Sequence, residues 1–468
     1  MRTVLLNRPD ARAHRCAAHV RPRGPAALVA LALVGVTTAA IPAALAMSDS
    51  NEGSLALSLA DALSRASVAA PELVRAQNEL RSIDARRAGA ALWFPNNPYA
   101  TFMWGPRRER QADGSTLSAL QWQFHVEQSL ELAGQRWTRL DAVAAASAAG
   151  RDQVEYARRS SEAQVKGLYV QCLLSGQRVQ VALQREAVSR QLLVSAQTRV
   201  ALGAAGEVEG NLAQIEVGRV VGERQDIEVE RESCLAALRM MTAIPPATAV
   251  ALTSRELTQL PPGLPVQEGL AALVERAYSS RADLRGIYKQ KAALHMENRR
   301  LLREIVPNPV LSFDWQKDLD GQVFIGGTVG LALPLWNRNQ GGLAQVRAAE
   351  QNRMAEQRLL LNRIAAEVGQ AVATLHLRRS QVDAFLRDAL PPAERNVDLL
   401  RRGWQAGKFD LFRVITALRE QTEVRTRYLL MLEQLWMSAI SLERAVGESL
   451  FTQSSAASAT SAADRGAP

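Results

Sequence analysis

The sequence predicts a mainly α-helical protein with a small β part, made from one unit written twice: helix, two strands, long α-helical hairpin. Three observations predict it. Ala, Leu, Arg, Glu and Gln dominate and aromatics are only 5%, which suits long, closely packed helices. Segments recur in the same order at offsets of 203–211 residues. Two short regions switch from helical to strict two-residue alternation.

The recurrence is read residue by residue. Leu73, Asn97, Pro98, Phe102 and Trp104 answer Leu284, Asn308, Pro309, Phe313 and Trp315 at an offset of 211. VEQSLEL at 126–132 answers VGLALPL at 329–335, and Gly203 and Ala213 answer Gly407 and Ala417. The drift in offset places insertions in loops. The first repeat spans 47–243 and the second 266–450. Between them, 244–265 is a Pro-rich linker that excludes a long helix.

Each unit opens with a helix of about 35 residues, at about 57–93 and 266–304, ended by Pro95 or Pro307. A strand follows (99–104; 310–315), then a polar loop (GPRRERQADGS; QKDLDGQ), then a returning strand (117–132; 323–335). A run of about 65 residues comes next (137–202; 342–406), and Pro391-Pro392 should kink the second copy. A glycine-marked turn leads to the last helix (207–241; 411–446). A helix of 65 residues is about 98 Å long. A hairpin of that length buries its apolar stripe only by packing sideways into a coiled-coil wall.

The ends carry other signals. Six arginines against Asp10 in residues 1–46 supply five of the net charge of +9, so the remainder holds no dense basic patch and nucleic acid is a poor partner. This Arg-rich lead, the apolar run from Ala26 and the close Ala44-Leu45-Ala46 read as a signal peptide over 1–46; an uncleaved anchor is the alternative. No Cys follows that run to carry a lipid. The tail 451–468 is small and polar, and reads as disordered. Cys172 and Cys234 read as separate buried thiols, because nothing in the sequence brings them together. No GxxxxGK[ST] and no nucleophile–base constellation occurs, so the chain is not read as an enzyme and no cofactor is implied. His125, His295 and His376 have no His or Cys partner at helical spacing, so no metal site is read.

The strands place one oily face against one polar face. In QWQFHVEQSLEL, Trp122, Phe124 and Val126 alternate with Gln121, Gln123, His125 and Glu127. In the second unit Val329 and Leu331 alternate with Thr328 and Gly330. Four strands cannot close a membrane barrel, which needs at least eight; three chains would supply twelve. On that reading the first set and Val329 and Leu331 face lipid. Gln121, Gln123, His125 and Glu127 face a wet lumen, His125 as polar lining.

The doubled layout resembles the TolC-type outer membrane efflux factors over essentially the whole chain after residue 46. VGLALPLWNRNQGGLAQVRAA (329–349) is similar to the stretch that enters the family's second long helix. RRGWQAGKFDLFRVITAL (401–418) resembles its second hairpin tip, and TRVALGAAGEVEGNLAQ (198–214) its first more loosely. WNRNQGG is most similar to the subgroup paired with heavy-metal exporters of the cobalt, zinc and cadmium type. The resemblance implies a homotrimer with a 12-stranded outer membrane β-barrel continued by a 12-helix periplasmic α-barrel. It implies a passive exit duct that docks a periplasmic adaptor and a proton-driven inner-membrane pump. The rival readings are the duct of a type I protein secretion system and a coiled-coil surface protein. The family's pattern makes Gly203 and Gly407 the hairpin tips and puts a periplasmic gate just past them, at Glu209, Arg413 and Trp404. Related ducts carry acids where this chain has Arg413 and Thr416, so a Glu209–Arg413 pair is expected instead.

Overall fold

The computed structural model describes residues 54–261, 269–318 and 321–450. The expected signal peptide and tail lie outside the described residues. In chain order the elements are β1 (Leu55–Leu57), α1 (Leu59–Ala69), α2 (Pro71–Ala90), β2 (Tyr99–Arg110), β3 (Thr116–Ser129), α3 (Gln135–Ala201), α4 (Glu207–Thr242) and β4 (Val250–Leu252). After a short 3-10 turn follow α5 (Leu270–Ser280), α6 (Ala282–Glu304), β5 (Pro309–Lys317), β6 (Val323–Leu331), α7 (Gln340–Asp388), α8 (Leu390–Gln405) and α9 (Leu411–Val446). No helix among the described residues is long and apolar enough to cross a membrane.

The duplication is written into the backbone. Among the described residues, those with positive φ fall into four pairs, one member in each half. Gly114 and Gly321 turn the two β-hairpins, and Gly134 and Asn339 cap the starts of α3 and α7. Gly203 and Gly407 turn the α-hairpins, and Ala243 and Gly447 cap the ends of α4 and α9. At both hairpin tips the turn is a Schellman motif. Ala204 N–H donates to Arg199 C=O and Gly203 N–H to Val200 C=O; Lys408 donates to Gly403 and Gly407 to Trp404 in the same way.

Three expectations need correction. The opening helix of each unit is two helices, broken at Ala70 (φ −59°, ψ 127°) and at Arg281 (φ −70°, ψ 123°), positions 211 apart. Pro71 at the first position of α2 explains the first break, since its ring cannot continue α1. At the second, the Arg281 side chain fills the gap, bound to Asp283, Glu367 and the Ala445 carbonyl. The strands also differ. β2 runs on through GPRRER to Arg110, so its loop is only 111–115, whereas β6 stops at Leu331. The kink before Pro391-Pro392 is present as a break at Ala389 between α7 and α8.

The third correction concerns the thiols. Cys172 of α3 and Cys234 of α4 form a disulfide across the first hairpin, with Cα atoms 5.5 Å apart. The bond sits inside a core of Tyr169, Leu174, Leu235, Leu238 and Trp436, and suits an oxidising compartment. Fully buried Tyr169 anchors the same region. Its hydroxyl donates to Leu57 C=O and accepts from the Thr253 and Ser254 amides. This clasps α3 to the parallel pair β1–β4, joining the start of the first repeat to the linker.

α3 is the spine, packed by α2, α4, α6 and α9. Its 67 residues measure about 100 Å at 1.5 Å per residue. α2 covers the part around Gly150, where an added methyl would lie 3.0 Å from Leu80 Cδ1 and 3.4 Å from Ile83 Cδ1, so glycine lets the two helices pack without displacing either side chain. α4 covers the part from Cys172 to the tip.

Two predictions follow from these contacts. The 62-residue separation makes the disulfide worth about 2–4 kcal/mol through loss of chain entropy. Dithiothreitol should lower the thermal midpoint of the parent, while the Cys172→Ser/Cys234→Ser variant starts low and ignores the reductant. Ala243 holds a left-handed conformation that its methyl disfavours, whereas at Gly447 a methyl would meet Arg281 Cγ at 3.0 Å. Ala243→Gly should therefore stabilise by about 0.5 kcal/mol, the relief of strain slightly exceeding the added chain entropy. Gly447→Ala should cost more than about 1 kcal/mol by the same strain plus the clash; both are read by thermal denaturation.

Candidate functional site: a two-faced sheet and paired hairpin tips

β2, β3, β5 and β6 form one antiparallel sheet in the order β2-β3-β5-β6. Its register sorts the side chains. Phe102 pairs with Phe124, Trp104 with Trp122, Phe124 with Trp315, Val126 with Phe313 and Leu311 with Val329. Alternation along each strand puts these residues, with Ile325 and Leu331, on one face. Trp122 and Trp315 meet edge to face with ring centroids 4.9 Å apart. Phe102, Trp104, Ile325 and Val329 are each more than half exposed, so this face is unburied within the chain. Gln121, Gln123, His125 and Glu127 share the opposite face with Ser312, Asp314 and Gln316. There His125 Nδ1 lies 2.8 Å from Asp314 Oδ1, and Nε2 lies 3.6 Å from Glu127 Oε2.

The hairpin tips are joined by other residues than expected. Glu209 and Arg413 are the third residues of α4 and α9, six past their tip glycines. Glu209 accepts from Trp404 Nε1 at 3.4 Å and lies 3.9 Å from Arg199 Nε. Arg413 turns to its own helix start: its amide donates to the N-cap Asp410 at 3.0 Å, and its guanidinium lies 3.9 Å from that carboxylate and over Phe409. The expected Glu209–Arg413 pair is thus not made within the chain. The physical reason is local. A cation at a helix N-terminus opposes the helix dipole, and the carboxylate three residues earlier answers it. Trp404 is the true link between tips, 5% exposed and packed with Ala213, Leu411 and Val414.

Two turns further from the tip lies a node the sequence does not advertise. Glu216 of α4, 3% exposed, accepts from three arginines: Arg185 of α3 at 2.7 Å, Arg219 of α4 at 3.0 Å and Arg419 of α9 at 2.6 Å. Glu223 takes the other arms of Arg185 and Arg219 at 2.7 and 2.6 Å. Burial alone would raise the Glu216 pKa, but the three guanidinium hydrogen bonds together hold it below the ordinary carboxylate value. Further up, Arg178 spans Glu230 of α4 and Glu433 of α9, and burial raises the Glu433 pKa. These bonds fasten the second hairpin to the first.

No protein-family profile matches the chain. It is 25% identical over 398 residues to the cobalt-zinc-cadmium resistance protein CzcC of Cupriavidus metallidurans, covering 84% of this chain and 90% of that protein. Among solved structures, CusC, described for its transmembrane channel formation, matches with a TM-score of 0.66 at 15% identity, covering 84% of this chain and 93% of that one. The Campylobacter jejuni CmeC outer membrane channel matches with a TM-score of 0.64 at 13% identity, covering 87% and 89%. The chain shares the fold of these outer membrane channels. Within that fold the two-faced sheet and the paired tips stand at opposite ends of the long helices α3 and α7, which run from the sheet towards Gly203 and Gly407.

Glu216→Gln should lower stability by about 2 kcal/mol. That is less than the ~3–5 kcal/mol of a broken buried ion pair, because Glu223 still neutralises Arg185 and Arg219. The loosening should appear as faster hydrogen exchange in α4 and α9 near the tips. Since the Glu216 pKa is depressed, its stabilisation is complete above the ordinary value of 4.5 and disappears as pH falls through the folded-state value. Glu155, lowered to about 2 by Arg158 and Arg159, sets the low end of the window. The parent should therefore lose stability progressively as pH falls from about 4.5 to 2, and Glu216→Gln should lose less as pH falls below 4.5.

Proposed function

We propose that this chain is the passive exit duct of a tripartite efflux system in the outer membrane. The observation that carries the proposal is the exposed apolar face of a four-stranded sheet set on two long α-hairpins, together with the likeness to outer membrane efflux channels. A lone four-stranded sheet with that face in water is untenable. Three copies give twelve strands, enough to close a barrel with the apolar face towards lipid. On this reading Trp122, Phe124, Val126, Val329 and Leu331 face lipid, and Gln121, Gln123, His125 and Glu127 line the lumen. Trp104, Trp122 and Trp315, neighbours across three strands, form an interfacial belt. The helices of three chains continue the barrel as a periplasmic tunnel.

On this reading a periplasmic adaptor and a proton-driven inner-membrane pump complete the assembly and supply the energy, the sequence itself carrying no GxxxxGK[ST] nucleotide loop. Similarity to a cobalt-zinc-cadmium resistance protein favours divalent metal ions as cargo. Gly203 and Gly407 form the periplasmic mouth, with the Trp404–Glu209 contact as its latch in place of a Glu209–Arg413 pair.

Purified protein should form trimers that conduct ions in planar bilayers, and loss of the gene should lower tolerance to cobalt, zinc or cadmium. A monomer without conductance excludes the duct. Unchanged tolerance with loss of one exported protein assigns it to a type I secretion system instead. If each latch contributes about 0.7 kcal/mol, three contribute about 2 kcal/mol, a shift of about 30-fold in the open-to-closed ratio. Trp404→Ala and Glu209→Lys should thus raise single-channel open probability, and Arg413→Glu should leave it near the parent.

A further inference from the structure

We propose that His125 and Glu127 bind a divalent transition-metal ion, with Asp314 holding the imidazole in place. The arrangement follows from strand geometry. Residues 125 and 127 are two apart on β3 and share a face, and Asp314 stands opposite His125 in the antiparallel register of β5. Asp314 Oδ1, 2.8 Å from Nδ1, takes the hydrogen bond from that nitrogen. That bond leaves Nε2 as the ring nitrogen available to an ion, which would displace any proton shared there with Glu127. Nε2 faces a second carboxylate, Glu127 Oε2, at 3.6 Å. With ligand distances near 2.1 Å, that separation subtends about 120° at an ion between them, within reach of tetrahedral or trigonal coordination. A carboxylate behind a ligating imidazole is the arrangement that orients metal-bound histidines and raises their basicity.

The donor set selects the ion. Imidazole nitrogen with carboxylate oxygen suits zinc, cobalt or nickel above magnesium or calcium. The site is open: no group of three or more His, Cys, Asp or Glu among the described residues is placed to hold an ion. Water fills the remaining positions, so binding is weak and exchange fast. An ion in transit needs sites it can leave as well as enter. His295 supplies an internal control. It meets one carboxylate, Glu350 at 3.1 Å, and is 64% exposed.

The placement of this site in a lumen rests on the duct reading, so the test has two arms. In the first, Co²⁺ is titrated into the detergent-purified full chain and its visible absorption recorded. Saturable binding is expected, abolished by His125→Ala and by His125→Gln, and weakened about 10–100-fold by Asp314→Asn. Glu127→Gln should weaken it too, and His295→Ala should leave it unchanged. Absence of saturable binding in the folded parent, or binding that survives both His125 variants, overturns the site. In the second arm, Zn²⁺ is added to single channels in a planar bilayer. Reversible block that disappears in His125→Gln supports both the site and its lumenal placement. Cobalt binding that depends on His125 without block supports the site and overturns the assignment of the polar face to the lumen.

Discussion

A single helix of 67 residues cannot bury its own apolar side chains, and the whole arrangement answers that constraint. α3 offers partners successive stretches of one long surface. Around Gly150 it takes α2, through the clasp of Tyr169 it takes β1 and the linker, and from Cys172 onward it takes α4. The second repeat attaches to the same spine through α6 and α9, by Lys289 to Asp152 and by Glu433 to Arg178. Each attachment orders a segment at an entropic cost that only shared burial offsets. The sheet and the first hairpin tip lie at the two ends of this one helix.

The fold was largely legible because it is periodic and said twice. Alternation in QWQFHVEQS marks β3, and Pro391-Pro392 marks the end of α7, since both act through the local backbone. The break at Ala70 is legible in Pro71; the break at Arg281 is not, because it is held by partners from α7 and α9. The extension of β2 through GPRRER runs against its composition. Gly and Pro there argue for a loop, and pairing with β3 overrides them.

At the candidate site local pattern and long-range contact part company. Faces were readable, because a period of two fixes them; partners were not. Glu209 and Arg413 were paired by counting from the tips, yet the count cannot see that Asp410 caps α9 beneath Arg413. Hairpin geometry did contain one unused signal. Gly203 lies 31 residues after Cys172 and 31 before Cys234, so an α-hairpin folded at that glycine must bring the two thiols level. The same reflection brings Arg178 and Arg185 to within two residues of Glu230 and Glu223, close enough for their long side chains to reach. Glu216 is harder, because its decisive partner Arg419 lies 203 residues away on the other hairpin.

The two hairpins, alike in their turns, differ in one respect. The first descends on an unbroken helix, cross-braced by a disulfide and by ion pairs to α4. The second descends on α7 and α8, separated at Ala389 (φ −104°, ψ −47°). In mechanical terms one is a strut and the other a jointed arm. Bending stiffness is continuous along the strut, so a push at its tip is carried to the sheet end. The arm is interrupted at a single joint, so its straightness there depends on the packing of α8, 16 residues long, against α9 and α4 and not on a continuous backbone ladder. Stiffness in the first repeat is thus covalent and continuous, while in the second it is borrowed from side-chain packing across the joint.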